Sequence, residues 1–380
     1  MLPQGMYIHI PFCQSKCQYC DFYSEPLSEH QWLEDYTAGL VVEIQQRALC
    51  CDKREISTVY FGGGTPSLLN PGQAERIINA VNEHFCLDSQ AEITMEANPG
   101  SLDKIKISGY RQAGVNRISL GAQSFDDQEL KMLGRRHQRS EIFTTVEELV
   151  RKGINNYNLD LMYGLPGQSV SKWEDNLDQA LKLEPAHLSC YLLQLDEGTP
   201  MGQKVKSGKI TLLDEDDEAE MYNLAIDKCT RAGLTQYELS NFSRPDYSCR
   251  HNLLYWRSHK YIGIGAGAVS YIADKRFKNS NDWQAYISNL KQNKLPPVEE
   301  LEHMNANDKL AEIMIMGLRL CEGVNLQQTF DRCAVDVGEH FKMAIQYGMD
   351  RGWLEIKSGN LCMTRMAYFI SNQVLCLFTA

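Results

Sequence analysis

No apolar run in the chain approaches the roughly 18 residues that a membrane-spanning helix needs, so no transmembrane segment is expected. The N-terminus shows no basic stretch leading into an apolar one, so no signal peptide is expected. Positive charge is also scarce: 38 Lys and Arg are outweighed by 49 Asp and Glu, a net charge of −11. Nonspecific nucleic-acid affinity comes largely from neutralising phosphates with basic residues, so a nucleic-acid partner is not expected. There is no low-complexity segment, internal repeat or long basic patch. The 13 cysteines, an odd number without disulfide-like spacing, fit a reducing compartment and a cytoplasmic protein, at most peripheral to a membrane. At 380 residues the chain has room for one large domain and a smaller one.

What is present is concentrated at residues 6 to 23, MYIHIPFCQSKCQYCDFY. The apolar run Met6 to Phe12 reads as a buried strand, and it leads into Cys13, Cys17 and Cys20, spaced C-x3-C-x2-C. Thiolates this close can wrap one iron–sulfur cluster. A four-iron cubane needs a ligand on each iron, so three cysteines leave one iron open to a ligand carrying an amine and a carboxylate. Two other readings fit the same residues. One is a zinc site completed by His9 or His30, although structural zinc usually has a second C-x2-C pair or a Cys/His pair, and neither follows. The other is a set of unrelated core thiols.

Downstream, strands and helices alternate. A helix over 29 to 49, ending near Cys50 and Cys51, precedes a strand from Ser57 to Phe61 that runs into Gly62-Gly63-Gly64-Thr65. No Lys-Ser/Thr pair follows these glycines, so they are not a phosphate loop; at a strand end they let backbone approach a ligand closely. Further strands read at Ala91 to Ala97, Arg117 to Gln123, Tyr157 to Tyr163 and His187 to Leu195, with helical patterns between. The helix from Asp214 to Ala232 has an acidic first turn, which suits the helix dipole. This alternation implies a parallel sheet with right-handed crossovers, and six units by about residue 235 fit an α/β fold, a partial, open (β/α)6 barrel. The cysteines, the glycine run, Glu96, Gln123 and Asp160 fall toward the C-terminal ends of strands, where a barrel builds its site.

The expected division is a barrel over 1–235, an extension over 236–293, and a small α+β winged-helix-like domain over 294–380. KLPPVEE at 294–300 reads as a linker. Helices are expected over 310–320 and 337–351, and a hairpin over 353–363 turning at Ser358-Gly359-Asn360. The acidic balance and the lack of a basic recognition helix favour a docking or lid role for this domain over DNA binding.

The cysteine spacing at the end of the first strand resembles the radical S-adenosylmethionine (radical SAM) superfamily. There the open iron of a [4Fe-4S] cluster binds the methionyl end of S-adenosylmethionine (SAM), and one electron from the cluster releases a 5′-deoxyadenosyl radical. Over nearly the whole chain, the order and spacing are similar to the family of anaerobic coproporphyrinogen III dehydrogenase (HemN) and its relative HemW. The resemblance implies a cluster on Cys13, Cys17 and Cys20. It implies SAM contacts from Tyr7 and Tyr19 near the cluster, from Gly63, Gly64 and Thr65 along the pocket, and from Glu96 at the methionyl end or ribose. Gln123, Arg135 and Asp160 match positions that hold a second SAM or the far side of the pocket. Taken alone, Glu96 and Asp160 also fit barrel-mouth salt bridges, and Arg135, beside Arg136, fits a solvated face.

Two departures separate the chain from the dehydrogenase. Its cysteine motif continues to a fourth cysteine, where Phe22 stands here, and it carries a long N-terminal segment for which Cys13 leaves no expected room. Cys20-Asp21-Phe22 and HNLLYW at 251–256 instead resemble HemW, with its HNxxYW motif. HemW proteins are regarded as haem chaperones, cytoplasmic or membrane-associated, that pass haem to acceptors such as respiratory enzymes. The resemblance therefore implies haem as cargo. His251 would ligate its iron, Asn252 would orient the imidazole, and Tyr255 and Trp256 would pack on the porphyrin. The alternative is a buried aromatic corner around a hydrogen-bonded histidine. Cys249 is a competing iron ligand, and no C-x2-C-H occurs, so covalent haem attachment is not expected.

Gly263 to Ala268 partly fits a dinucleotide fingerprint but follows the barrel rather than opening a βαβ unit; its small residues would let backbone approach a flat ligand or the SAM adenine. The leading reading is a haem chaperone in which cluster and SAM gate transfer. The alternatives are an enzyme that decarboxylates coproporphyrinogen III propionates to vinyl groups, or another radical SAM enzyme acting on a tetrapyrrole. A homodimer is left open.

Overall fold

The computed structural model describes residues 3–50 and 55–379, and Cys51 lies outside them. Its central feature is a set of strands with apolar side chains on one face and polar side chains on the other. Six of them follow one another in chain order: β1 (Gly5–Ile10), β2 (Glu55–Gly63), β3 (Cys86–Ala97), β4 (Arg117–Gln123), β5 (Tyr157–Tyr163) and β6 (His187–Leu192). Each pairs parallel with the next. Successive side chains on a strand point to opposite faces. In β4, Ile118, Leu120 and Ala122 are fully buried in the main hydrophobic core, while Arg117, Ser119, Gly121 and Gln123 line an interior cleft. β5 repeats this with Leu159 and Leu161 outward and Asn158, Asp160 and Met162 inward. β6 does so with Leu188 and Cys190 outward and His187, Ser189 and Tyr191 inward. The barrel interior is thus a polar cavity, and the apolar core is the layer between sheet and helices.

Helices over His30–Leu49, Pro71–His84, Lys104–Gln112, Arg139–Arg151, Val170–Lys182 and Glu215–Arg231 alternate with these strands. Their starts are set by side chains that accept orphan backbone N–H groups: Asn70 in a capping box with Gln73, then Asp103, Ser169 and Asp214.

The sheet continues on both sides, to 12 strands. β7 (Thr235–Glu238) and β8 (Asn241–Ser243) extend it beyond β6, with β8 antiparallel to both. β9 (Tyr261–Ile264) joins β1 in parallel, and β10 (Val269–Ile272), β11 (Lys275–Asn279) and β12 (Val298–His303) follow antiparallel. The second half of KLPPVEE is therefore an edge strand and not a linker: Val298, Glu299 and Glu300 pair with Asn279, Lys278 and Phe277. Opposite charges favour that register, with Lys275 Nζ 3.0 Å from Glu300. HNLLYW forms a short helix, Arg250–Trp256.

A second hydrophobic cluster, including Leu310, Met314, Leu318, Leu361, Val374 and Phe378, underlies the C-terminal part. The helix expected over 337–351 is split into Val337–His340 and Lys342–Asp350, with Phe341 at the break packed on Phe378. The hairpin Leu354–Lys357 and Asn360–Met363 turns at Ser358 and Gly359, both at positive φ. Among the described residues, no helix is long and apolar enough to cross a membrane.

Candidate cofactor and ligand cleft

One cleft of about 440 Å³ runs through the barrel. Pockets of this size commonly hold a small ligand or cofactor. Its mouth is edged by Cys13, Cys17, Tyr19, Cys20 and Phe22; Gly63, Gly64, Thr65, Glu96, Gln123, Arg135 and Asp160 line its walls; Arg117, His187 and Asn252 close its far end. The fold thus gathers most of the residues singled out in the sequence. Tyr7 does not line the cleft; its hydroxyl meets His9 Nδ1 at 2.9 Å and its ring stacks near Tyr60.

The three cysteines are free of disulfides. The Thr65 hydroxyl donates to Cys13 Sγ at 3.5 Å, and Arg135 Nη1 donates to Cys17 Sγ at 3.6 Å. Burial pushes the Cys20 thiol up from its ordinary value, a preference that metal ligation would reverse. Gly64 sits where a Cβ would lie 2.6 Å from the Phe12 carbonyl oxygen, so the glycine run packs directly under the cysteine loop. At Gly63 φ is +109° and a Cβ would collide with the His9 ring, so this position needs glycine.

Arg135 is turned inward, unlike its exposed neighbour Arg136. The helix before it ends at Gly134 in the left-handed conformation, and Arg135 then donates to Gly121 O at 2.7 Å and to Asn98 Oδ1. Glu96 accepts from the Tyr60 hydroxyl at 2.8 Å and from Gly63 N–H at 3.3 Å. Burial pushes its carboxyl up to about 7, against those two hydrogen bonds. Asp160 is also raised by burial; it accepts from Asn158 Nδ2 at 2.8 Å and Ser119 Oγ at 3.1 Å. Neither carboxyl forms a salt bridge at the barrel mouth.

The Arg250–Trp256 helix crosses the N-terminal ends of the strands. Glu92 of β3 accepts its first N–H groups, Arg250 and His251, each at 3.1 Å. His251 Nδ1 meets Thr58 Oγ1 at 2.7 Å, and Nε2 meets the Tyr255 hydroxyl at 2.8 Å. Its ring stacks on Tyr60 with centroids 5.1 Å apart, and burial lowers its pKa to about 3. Both ring nitrogens are engaged within the chain, so the hydrogen-bonded aromatic corner is the arrangement adopted here. Tyr255 packs against Tyr261, and Trp256 lies under Arg319. Of the HNLLYW side chains only Asn252 lines the cleft. Cys249 donates toward Glu92, and burial pushes it up to about 12. The small residues at 263–268 serve the tight β9–β10 connection: a Cβ on Gly263 would lie 2.2 Å from Val269 O.

Tyr60, Asn98, Arg117, Asn158 and His187 were not singled out in the sequence. The signal was the alternation itself, since each strand residue among them sits in register with polar neighbours two positions away.

The pattern of the radical SAM superfamily matches residues 7–180, and that of the HemN C-terminal domain matches residues 304–370. The chain is 36% identical over 364 residues to the heme chaperone HemW of Synechocystis sp., covering 93% of this chain and 87% of that protein. It is 41% identical over 266 residues to the heme chaperone HemW of Escherichia coli, covering 70% and 69%. It is 33% identical over 354 residues to radical S-adenosyl methionine domain-containing protein 1, mitochondrial, of Danio rerio, covering 87% and 78%. The solved structure of coproporphyrinogen III oxidase (HemN) from Escherichia coli has the same fold, with a TM-score of 0.85 at 22% identity over 99% of this chain and 90% of that one. With a radical SAM barrel, a HemN-type C-terminal domain and this agreement with HemW proteins over most of its length, the chain belongs to the HemW family of the radical SAM superfamily.

Proposed function

We propose that the chain is a haem chaperone, binding haem and handing it to acceptor proteins such as respiratory enzymes. The observation that carries this reading is the similarity over 93% of the chain to a relative named heme chaperone HemW. The family implies a [4Fe-4S] cluster and SAM, and the residues present fit both. Cys13, Cys17 and Cys20 would hold the cluster, leaving its fourth side toward the cleft. Gly63, Gly64, Thr65 and Glu96 would hold SAM; Tyr19, Gln123, Arg135 and Asp160 would complete that site or a second one, and Tyr7 would support it from behind through His9.

When bound, the cluster supplies an electron and SAM a cleavable sulfonium. The chain's own residues do the rest. Arg135 sets a fixed positive charge beside Cys17. Glu96, its carboxyl raised by burial to about 7, is held in place by the Tyr60 hydroxyl and the Gly63 N–H, which both donate to it. Phe22, 65% exposed at the mouth, gives a flat apolar ring a surface to rest on where the dehydrogenase has a thiol. The C-terminal domain would dock the acceptor or close over the cleft. A homodimer and contact with a membrane surface are compatible with this reading.

The shared fold with HemN favours a second reading, decarboxylation of coproporphyrinogen III. Anaerobically reconstituted protein with SAM and dithionite separates the two. Stoichiometric haem binding, with no protoporphyrinogen by HPLC after oxidation, is expected. Protoporphyrinogen formed from coproporphyrinogen III would make the chain a dehydrogenase.

A further inference from the structure

Arg117 opens β4 at the closed end of the cleft and is 2% exposed. A guanidinium stays charged at any working pH, and burying one without partners is costly. Yet among the described residues Arg117 Nε has no hydrogen-bond partner. The three acidic side chains whose fields reach it, Glu92, Glu96 and Asp160, are occupied by other donors, Glu96 by the Tyr60 hydroxyl and Gly63 N–H. Glu92 holds the backbone N–H groups of Arg250 and His251 and the Cys249 thiol. Asp160 holds Asn158 and Ser119. Asn252 reaches the same floor from the helix that seals the barrel, and among the described residues nothing bonds its side-chain amide.

A guanidinium fork and a primary amide facing one enclosed space with donors to spare form the donor set of a carboxylate site. We propose that the barrel floor, built on Arg117 with Asn252, binds a carboxylate arm of the tetrapyrrole cargo, a haem propionate. This inference rests on the haem-chaperone reading. The other carboxylate at hand, that of SAM, belongs at the opposite end. β4 runs six residues from Arg117 to Gln123, about 20 Å of strand at about 3.3 Å per residue, toward the end of the cleft that the cysteines edge. A propionate on Arg117 supplies the hydrogen-bond acceptor that its Nε lacks, and the apolar ring then extends toward Met162, Tyr191 and the mouth.

The test titrates the cluster-loaded full chain with haem and with its dimethyl ester, in wild type, Arg117→Gln and Arg117→Lys. Wild type is expected to bind the diacid at least about tenfold more tightly than the diester, a preference that Arg117→Gln abolishes and Arg117→Lys partly keeps, with SAM affinity unchanged. Equal binding of diacid and diester by wild type overturns the inference, and this arm stands even where the variants do not fold. A parallel loss of both ligands in Arg117→Gln also overturns it, as does a loss of SAM binding with haem untouched, which would assign the site to the methionyl carboxylate. Failure of wild type to bind either form of haem brings down the chaperone reading itself.

Discussion

Two arginines line one cleft, Arg117 buried and Arg135 half-buried, and the protein treats them in opposite ways. Arg135, at the cysteine end, donates to Gly121 O, Asn98 and Cys17, so its charge is held in place before any ligand arrives. Arg117, at the floor, is 2% exposed, and its Nε donates to nothing. The first arrangement stabilises the fold and fixes an electrostatic field at the cluster loop, as preorganised sites do. The second leaves a buried guanidinium with an unbonded Nε, its charge met only through the fields of nearby carboxyls, a cost that makes sense where a ligand supplies the missing acceptor. Arg135 finds its partners within the chain, and Arg117 Nε finds none among the described residues.

The contrast breaks most visibly on paired substitutions. Arg135→Met is expected to lower stability by about 3–4 kcal/mol, because Asn98 and Gly121 O lose a charged donor in a buried setting. Arg117→Met is expected to cost clearly less, since it strands no hydrogen bond, although it withdraws the positive field that reaches buried Glu92. Denaturant midpoints of the two variants decide this, and equal losses would mean that Arg117 is structural. A smaller effect sharpens the picture of the sealing helix. His251→Ala removes two buried hydrogen bonds and a stacked ring and should cost about 3 kcal/mol. The haem spectrum of the folded variant should stay as in wild type; a shifted Soret band would return the imidazole to the role of iron ligand.

The smallest effect concerns Glu96 in SAM-free protein. Its carboxyl is raised from 4.5 to about 7, so the native state holds the proton more tightly than the unfolded chain. Its contribution is fully present below about pH 4.5 and is lost as pH rises through about 7, on the order of 2 kcal/mol. Glu96→Gln should flatten the stability profile across that window and unfold at higher denaturant than wild type at pH 8. An unchanged slope would mean that the carboxyl is not held protonated.

The strands Arg117–Gln123 and Tyr157–Tyr163 were legible in the sequence to the residue, because apolar alternation bounded by glycine and loop residues marks them on both sides. What alternation conceals is which face looks at water. Alternation places Ser119, Asn158 and Ser189 on the polar faces of their strands, and only the curvature of the folded sheet makes those faces interior. Arg135 could not be told from Arg136 by type; the left-handed turn at Gly134 selects it. His251 illustrates the same limit from the other side. The motif marks it as special, but its partner Thr58 lies 193 residues earlier, and only the folded chain brings the two together. The acidic tail of KLPPVEE reads as linker because its pairing partner is a basic strand that has to be folded beside it.

The sealing helix has a consequence in time. The sixth barrel strand is complete at Leu192, but the helix that closes the floor ends at Trp256, and its capping contact joins Arg250 to Glu92 across 158 residues. At about 5–20 residues per second, ribosomes take roughly 3–13 s to make the intervening stretch. During that interval the helix that covers the N-terminal ends of the barrel strands has not yet been made. The floor is the last part of the cleft to become a compartment, so loading at that end is a property of the finished chain and not of one still being made.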